Sequence, residues 1–377
     1  MIVPEPFLKP RGTPISVYGR TRALSKLGYH IDLVTYHIGE KISLPNVSVH
    51  RIPEVPFIKE IAVGPSLPKI VLDFFLMVKT VLMLLARDYD IIHSHEEGAF
   101  WGAFLAKIFG KKHIYDMHSS LPQQFGNFHY ANFSVVRAVF AWFERFVIRN
   151  SQGVIYICPD LKTVIDEIDK NKSTVLIENF GAEEGFSNNK TDPVELENCN
   201  GKFKLLYAGT LESYQGIDLL VNSMKHIESS DFLLLVVGGE AEQIKKYEKM
   251  ASEIGVEGRV RFLGKVSPTE VEAYYQVADA LISTRVKGTN TPLKIYKYLM
   301  SGKPVIATRI WSHTQILNEN IAVLVDVDES DVAEKLNRVI SDRDALRKIQ
   351  ENAREYVKEK FTYEEYLRLT SSIYESV

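Results

Sequence analysis

Three cations gather around the start of one short helix late in the chain. Arg285 and Lys287 lie just upstream of Thr291-Pro292, and Lys294 follows in the expected first turn. Thr291 is a good N-cap, and Pro292 suits the first helical position because its missing N–H would be unpaired there anyway. Leu293, Tyr296 and Met300 recur at helical spacing and predict an apolar stripe. Gly302 is placed to end the helix, Pro304 prevents its return, and Pro304–Ala307 reads as a buried strand. A helix start is an anion site, since its first N–H groups lack partners and the dipole is positive there. Each cation in that position costs about 0.3–1 kcal/mol. Three together point to a compensating anion of the phosphate type, the alternative being three side chains turned into water.

A second concentration lies in the first half. His93, His95, Glu96 and Glu97 crowd the end of one strand-like run, and His118 follows another, His113–Asp116. An unpaired imidazole titrates at about 6.5, so the charge of His118 near neutrality depends on its surroundings. A histidine satisfied by backbone partners is the plain alternative. Glu96 or Glu97 would bind an acceptor or assist in removing its proton, unless they sit on a solvated loop. The Gly12-Thr13-Pro14 turn repeats the Thr-Pro helix start and opens a helix over Ile15–Leu27 that Gly28 closes. Its amides would face phosphates or an acceptor, or it is simply a well-capped helix.

The elements that must carry these groups alternate from end to end. Short β-branched runs at Ile31–Tyr36, Ile91–His93, His113–Asp116, Gly153–Ile157 and Thr174–Ile177 are separated by helical patterns at Ile15–Leu27, Lys69–Ala86, Ala99–Phe109 and Val135–Arg149. That alternation predicts a parallel, doubly wound sheet. It breaks at Asn179–Lys202, which lacks periodicity, and restarts at Phe203–Ala208. The expected fold class is α/β, two Rossmann-like doubly wound parallel-sheet domains facing a cleft. The expected divisions are 1–180, a linker at 181–202, 203–360, and a C-terminal helix at 361–377 that packs back on the first domain. Open parallel sheets bind ligands beyond the carboxyl ends of their strands.

The 377 residues suit two domains, and a net charge of −3 supplies no field to draw nucleic acid. Two cysteines, Cys158 and Cys199, make neither a disulfide framework nor a metal-ligand spacing. Met1-Ile2-Val3 runs at once into Pro4, so no signal peptide is visible and a cytoplasmic location is expected. Ile70–Leu85 is apolar over roughly sixteen residues, short of the ~20 needed to span a bilayer. It reads as a core helix or as a helix leaning on the inner face of a membrane. Trp101, Phe125, Phe128, Tyr130 and Phe133 would suit a glycan or lipid-linked acceptor, although aromatic clusters are more often core.

The segment KGTNTPLKIYKYLMSGKPVIAT at Lys287–Thr308 resembles the donor-binding motif of retaining GT-B glycosyltransferases, in particular glycosyltransferase family 4. Other landmarks fall in the family's order: RGTP at Arg11–Pro14, DIIHSHEEGA at Asp90–Ala99, YDMH at Tyr115–His118, LLYAGTLESYQGIDLL at Leu205–Leu220, VVGG at Val236–Gly239 and RVRFLGKV at Arg259–Val266. The resemblance implies a transferase that takes a sugar from a nucleotide diphosphate donor, retains its configuration and needs no metal or other cofactor. It places His118 beside the donor sugar, the phosphates on the helix start Pro292, Leu293 and Lys294, and the base near Val266. It also places Gly12, Thr13, Gly209, Thr210, Gln215, Gly239, Thr291 and Lys297 around the donor. Arg285, Lys287, Lys294 or Lys297 would replace the charge lost at Thr210 and Gln215, which makes His118, Lys294 and Arg285 the expected catalytic residues and His95, Glu96 and Glu97 the acceptor candidates. The implied partners are a nucleotide-sugar and a glycan or lipid-linked acceptor in polysaccharide biosynthesis, with weak peripheral membrane association and no nucleic acid.

The chain departs from the family in three respects. Thr289 and Lys297 stand where the family has two glutamates, the second of which accepts hydrogen bonds from the donor ribose, and lysine only donates. Thr210 and Gln215 stand where an arginine and a lysine usually grip the diphosphate. The family also has several apolar residues ahead of the position of Pro4, so a short first strand is expected. A nucleotide-sugar epimerase, a sugar-phosphate synthase, or a nucleotide- or partner-binding protein without transfer are the competing readings.

Overall fold

The structure, a computed structural model, describes residues 1–7, 12–59, 61, 66–120, 122, 134–180 and 201–377. Arg11, Phe125, Phe128, Tyr130, Phe133, Cys199 and nearly all of the expected linker lie outside them. The chain divides into two compact units, Met1–Glu184 with Tyr363–Val377, and Gly185–Thr362.

The first unit is a seven-stranded sheet in the order β3-β2-β1-β4-β5-β6-β7, parallel throughout. Its strands are β1 (Ile2–Val3), β2 (Ile31–Thr35), β3 (Val47–Arg51), β4 (Ile91–His95), β5 (Lys112–Met117), β6 (Gly153–Tyr156) and β7 (Ser173–Leu176). The crossovers carry α1 (Gly12–Lys26), α2 (Leu67–Ala86), α3 (Gly98–Phe109), α4 (Ser134–Asn150) and α5 (Pro159–Ile168). One core gathers Val34, Ile92, Leu72, Leu76 and Leu105, and another Tyr115, Met117, Val147, Ile148 and Leu161.

The second unit is a six-stranded parallel sheet in the order β10-β9-β8-β11-β12-β13. Its strands are β8 (Phe203–Ala208), β9 (Phe232–Val237), β10 (Val260–Gly264), β11 (Ala280–Ser283), β12 (Val305–Thr308) and β13 (Val323–Val325). Strand β9, FLLLVV, is buried along its whole length, as a parallel strand covered on both faces must be. The helices are α6 (Ile217–Ser223), α7 (Ala241–Glu253), α8 (Pro268–Val277), α9 (Leu293–Met300), α10 (Trp311–Thr314), α11 (Glu329–Ser341) and α12 (Arg343–Lys360). The last helix, α13 (Tyr363–Glu375), belongs to the first unit and packs on α1, β6 and β7.

Each sheet reverses its strand order once, between β1 and β4 in the first unit and between β8 and β11 in the second. A crevice opens at such a point because the two crossovers leave in opposite directions. Among the described residues, no helix is long and apolar enough to cross a membrane.

Candidate functional site

In the second unit the reversal point assembles the cationic residues. The chain leaving β8 turns through Gly209, and the chain leaving β11 carries Thr284 and Arg285 toward α9. The Nζ of Lys294 lies 4.0 Å from the centroid of the Tyr207 ring and 3.2 Å from Gln215 Oε1. A Cβ on Gly209 would stand only 2.5 Å from that Nζ, so the absent side chain is what lets the lysine in. Arg285 is shaped by its own loop. Its Nε donates to Lys287 O at 2.6 Å, and a Cβ on Gly288, where φ is 140°, would meet its guanidinium at 2.0 Å. The guanidinium also lies over Tyr214 at 5.4 Å.

Neither Lys294 nor Arg285 forms an ion pair with a carboxylate among the described residues. Burial, and then the neighbouring Arg285, lower the Lys294 ammonium to about 7. Burial likewise lowers Arg285. Two half-buried cations with no carboxylate partner among the described residues make a site short of negative charge.

The expected N-cap is corrected. Pro292 takes that position in extended conformation, φ −65° and ψ 136°, and Thr291 Oγ1 is buried with no hydrogen-bond partner among the described residues. The helix starts one residue later because the proline is already its cap. The expected stripe changes too. Ile295, Tyr296, Tyr298 and Leu299 are buried, whereas Met300 is 45% exposed. Tyr296 meets Phe361 on one side and Tyr298 meets Tyr275 on another, so α9 is covered over a broad arc. The Tyr298 hydroxyl accepts from Ala208 N at 2.9 Å, tying α9 to the end of β8. Gly302, at φ 69°, terminates the helix as expected.

The remaining expected donor residues are spread over the same strand ends. Thr210 is exposed, and its carbonyl accepts from the Tyr207 hydroxyl at 2.7 Å. Gln215 is buried, and Gly239 is buried after β9. Val266 is half-buried after β10, Leu293 is half-buried, and Lys297 is half-buried one turn past Lys294. Lys287 is exposed. The carbonyl of Thr289 accepts from Gln315 Nε2 at 2.6 Å.

In the first unit the reversal point holds a buried polar cluster. Arg20 of α1 donates from Nε to Asp116 Oδ2 at 2.9 Å, and from a terminal nitrogen to Thr370 of α13 at 3.3 Å. His93 meets the Tyr374 hydroxyl through Nδ1 and approaches Asp116 through Nε2 at 3.5 Å. His95 Nδ1 lies 3.0 Å from His118 Nε2, which lies 3.5 Å from Asp116 Oδ1. Burial alone would raise the Asp116 carboxyl, but Arg20, then His118, hold it well below the ordinary range. Burial lowers His118 despite Asp116, and Arg20 and His93 lower it further, so its imidazole is neutral. His95 is depressed more strongly, by burial and then His93.

His93, His95 and Asp116 are the group whose ligand atoms converge as metal ligands do among the described residues. The Arg20 guanidinium already neutralises Asp116 there, so a second cation would meet like charge. Arg20, Tyr374 and Thr370 escaped the sequence reading. The signal for Arg20 was present, because it falls between Val17 and Leu24 on the buried stripe of α1.

Above this cluster Glu96 sits at φ 46°, left-handed for a side chain with a Cβ. Its carboxylate accepts from Thr13 Oγ1 at 3.3 Å and Ser119 Oγ at 3.0 Å. Burial, then Glu97, raise it to about 8. Glu97 instead pairs with Lys69 at 2.5 Å. Gly12 and Thr13 open α1 beside Glu96, in a different unit from the other expected donor residues.

Two family models match the chain, "Glycosyltransferase Family 4" over residues 10–179 and "Glycosyl transferases group 1" over residues 188–356. An uncharacterized glycosyltransferase of Methanocaldococcus jannaschii, MJ1178, is 22% identical over 97% of this chain and 95% of its own. Among solved structures, sucrose-phosphate synthase from Thermosynechococcus elongatus matches with a TM-score of 0.77 at 20% identity, over 97% of this chain and 93% of that one. HepE from Anabaena, solved in complex with UDP, matches at 0.73 and 17% identity over 98% and 97% of the two chains, and its UDP-glucose complex at 0.70. These likenesses establish the GT-B fold.

Proposed function

The chain belongs to the group 1 glycosyltransferases, and we propose that it moves a sugar from a nucleotide diphosphate donor to a hydroxyl acceptor, with retention and without a metal. The observation that carries this reading is Lys294, a half-buried lysine of lowered pKa beside Arg285, with no carboxylate among the described residues to answer either. The diphosphate of a donor supplies the missing charge. As the bond from the sugar's anomeric carbon to the phosphate oxygen breaks, its electron pair passes to the diphosphate. The two fixed cations then stabilise that charge where solvent screens it little. This is the electrostatic work a metal would otherwise perform. The acceptor hydroxyl attacks the same face, and its proton passes to the leaving phosphate. His118, whose burial keeps its imidazole neutral, is the residue the resemblance implies for the donor sugar. The UDP and UDP-glucose complexes of HepE support a nucleotide-sugar and make UDP-glucose the first donor to try.

Lys297 and Thr289, standing where the family has acids, favour one second reading, a nucleotide-binding chain without transfer. The test is incubation with nucleotide-sugars in EDTA, with and without a glycan or lipid-linked acceptor. The expected result is acceptor-dependent release of nucleoside diphosphate and a product of retained configuration by NMR. Nucleotide binding without release supports the second reading, and no thermal stabilisation by any nucleoside diphosphate at high concentration overturns both.

A further inference from the structure

We propose that His313 and Thr308 are positioning residues of the transfer reaction, which fix the Arg285 backbone so that its guanidinium meets the diphosphate of the donor. The inference rests on the reading of Arg285 as a phosphate contact. Pairing between β11 and β12 ends at Ser283 and Ala307. Strand β12 runs one residue further, to Thr308. There the Thr308 hydroxyl donates to Arg285 O at 2.5 Å, so a side chain carries the pairing past the last ladder position. Four successive residues leaving β11 are each held. Ser283 Oγ meets His313 Nε2 at 3.1 Å, and Thr284 Oγ1 donates to Gln215 O at 3.2 Å. Arg285 O takes the Thr308 hydroxyl, and Val286 N donates to Tyr214 O at 2.9 Å. A Cβ on Gly216 would stand 2.0 Å from Thr284 O, so a close backbone approach backs the same segment.

The state of His313 sets the direction of these bonds. Its ring is wholly buried, as are Ser283 and Thr308, so it does not itself reach a ligand. Nδ1 lies 2.9 Å from Thr308 O and 3.1 Å from Thr308 Oγ1. A carbonyl only accepts, so Nδ1 carries the proton. Burial lowers the imidazole to about 4 despite that carbonyl, and Arg285 and Lys294 lower it further, so Nε2 keeps its lone pair. Nε2 therefore accepts from the Ser283 hydroxyl. Thr308 Oγ1, facing the Nδ1 proton, is left to donate its own hydrogen to Arg285 O. A neutral ring also adds no third positive charge beside Arg285 and Lys294. An apolar core would fill the same space, whereas a directed and satisfied polar row specifies where one backbone carbonyl lies. That matters at a reacting group, where a misplacement of about 1 Å costs roughly 10²-fold in rate.

Three measurements on the full chain test this: titration with UDP, release of UDP from UDP-glucose, and amide hydrogen exchange without nucleotide. Thr308→Val keeps the shape and removes the hydroxyl. It should lower UDP affinity and the release rate by about five- to tenfold each. It should also speed exchange of the Val286 amide by a similar factor. His313→Leu should do the same, and His313→Asn, whose amide N–H stands where Nδ1–H stood, should recover most of the loss. In an Arg285→Met background, Thr308→Val should change neither affinity nor rate further, since the group it positions is gone. An equal loss with and without the guanidinium is the mark of a merely structural role and overturns the proposal. So does a Thr308→Val chain that binds UDP and releases it from UDP-glucose as the wild type does, or one with unchanged exchange at Val286. Those outcomes leave the reading of the reaction standing. A wild-type chain that bound no nucleoside diphosphate would overturn that reading first, and this proposal with it.

Discussion

Lys294 is costly to the ligand-free protein, and that cost identifies its use. Lys294→Met removes a desolvated amine and keeps the volume. We expect an unchanged or higher melting temperature together with a loss of roughly 10²–10³ in kcat. A variant that kept full turnover would remove Lys294 from the site. The ammonium titrates at about 7 in the folded chain and at 10.5 ordinarily. Between those values the unfolded chain holds a proton that the folded chain has lost, so this group makes stability rise with pH there, its penalty being full below pH 7. A bound diphosphate restores the proton. At pH 8 nucleotide binding should therefore take up close to one proton, and affinity should fall by up to about tenfold per pH unit above 7. Calorimetry in buffers of different ionisation enthalpy measures this, and a binding heat independent of buffer would contradict it. Glu96 runs the other way, raised from 4.5 to about 8. Its contribution is full below pH 4.5 and is lost as pH rises through 8, so the melting temperature of Glu96→Gln relative to wild type should climb across that window.

Elements place these residues through backbone as much as side chain. Gly209→Ala would put a methyl against the Lys294 ammonium, and displacing it should cost about 1–3 kcal/mol in nucleotide affinity while β8 stays folded. Titration with UDP reads this, and unchanged affinity would mean the lysine has room to move. The runs FKLLYA and FLLLVV were legible because strands covered on both faces must be apolar throughout. Val47–Arg51 escaped notice because it is a half-buried edge strand that mixes Ser, His and Arg with valine. Pro159–Ile168 escaped because its buried residues are only Leu161 and Ile165. The phosphate site was legible because cations at a helix start violate the dipole's preference. Which cation is enclosed was not, since that depends on the Tyr207 ring and the gap at Gly209, both delivered by β8. Thr291 lost its capping place for a local reason, because the proline after it can itself stand in extended conformation ahead of the first helical N–H.

At the scale of the whole chain, two parallel sheets with separate cores each offer one reversal point, and the chemistry at the two points differs. The second unit presents unanswered positive charge. The first presents a neutral imidazole and a proton-holding carboxyl above an Arg20–Asp116 pair. That division predicts separable losses. A nucleoside diphosphate at 100 times its dissociation constant should stabilise the wild-type chain by about 2.7 kcal/mol. His118→Ala should keep that shift, because no nucleotide phosphate contact is assigned to its unit, and should lower transfer by roughly 10²–10³ as expected for a lost polar contact to the reacting sugar. Lys294→Met should shrink the shift and lower transfer together. Thermal melts with and without UDP, paired with release of UDP from UDP-glucose, read both quantities on the same samples. If His118→Ala erased the UDP shift while the chain stayed folded, the first unit would hold part of the phosphate site. The assignment of donor binding to the Lys294 reversal point alone would then fail.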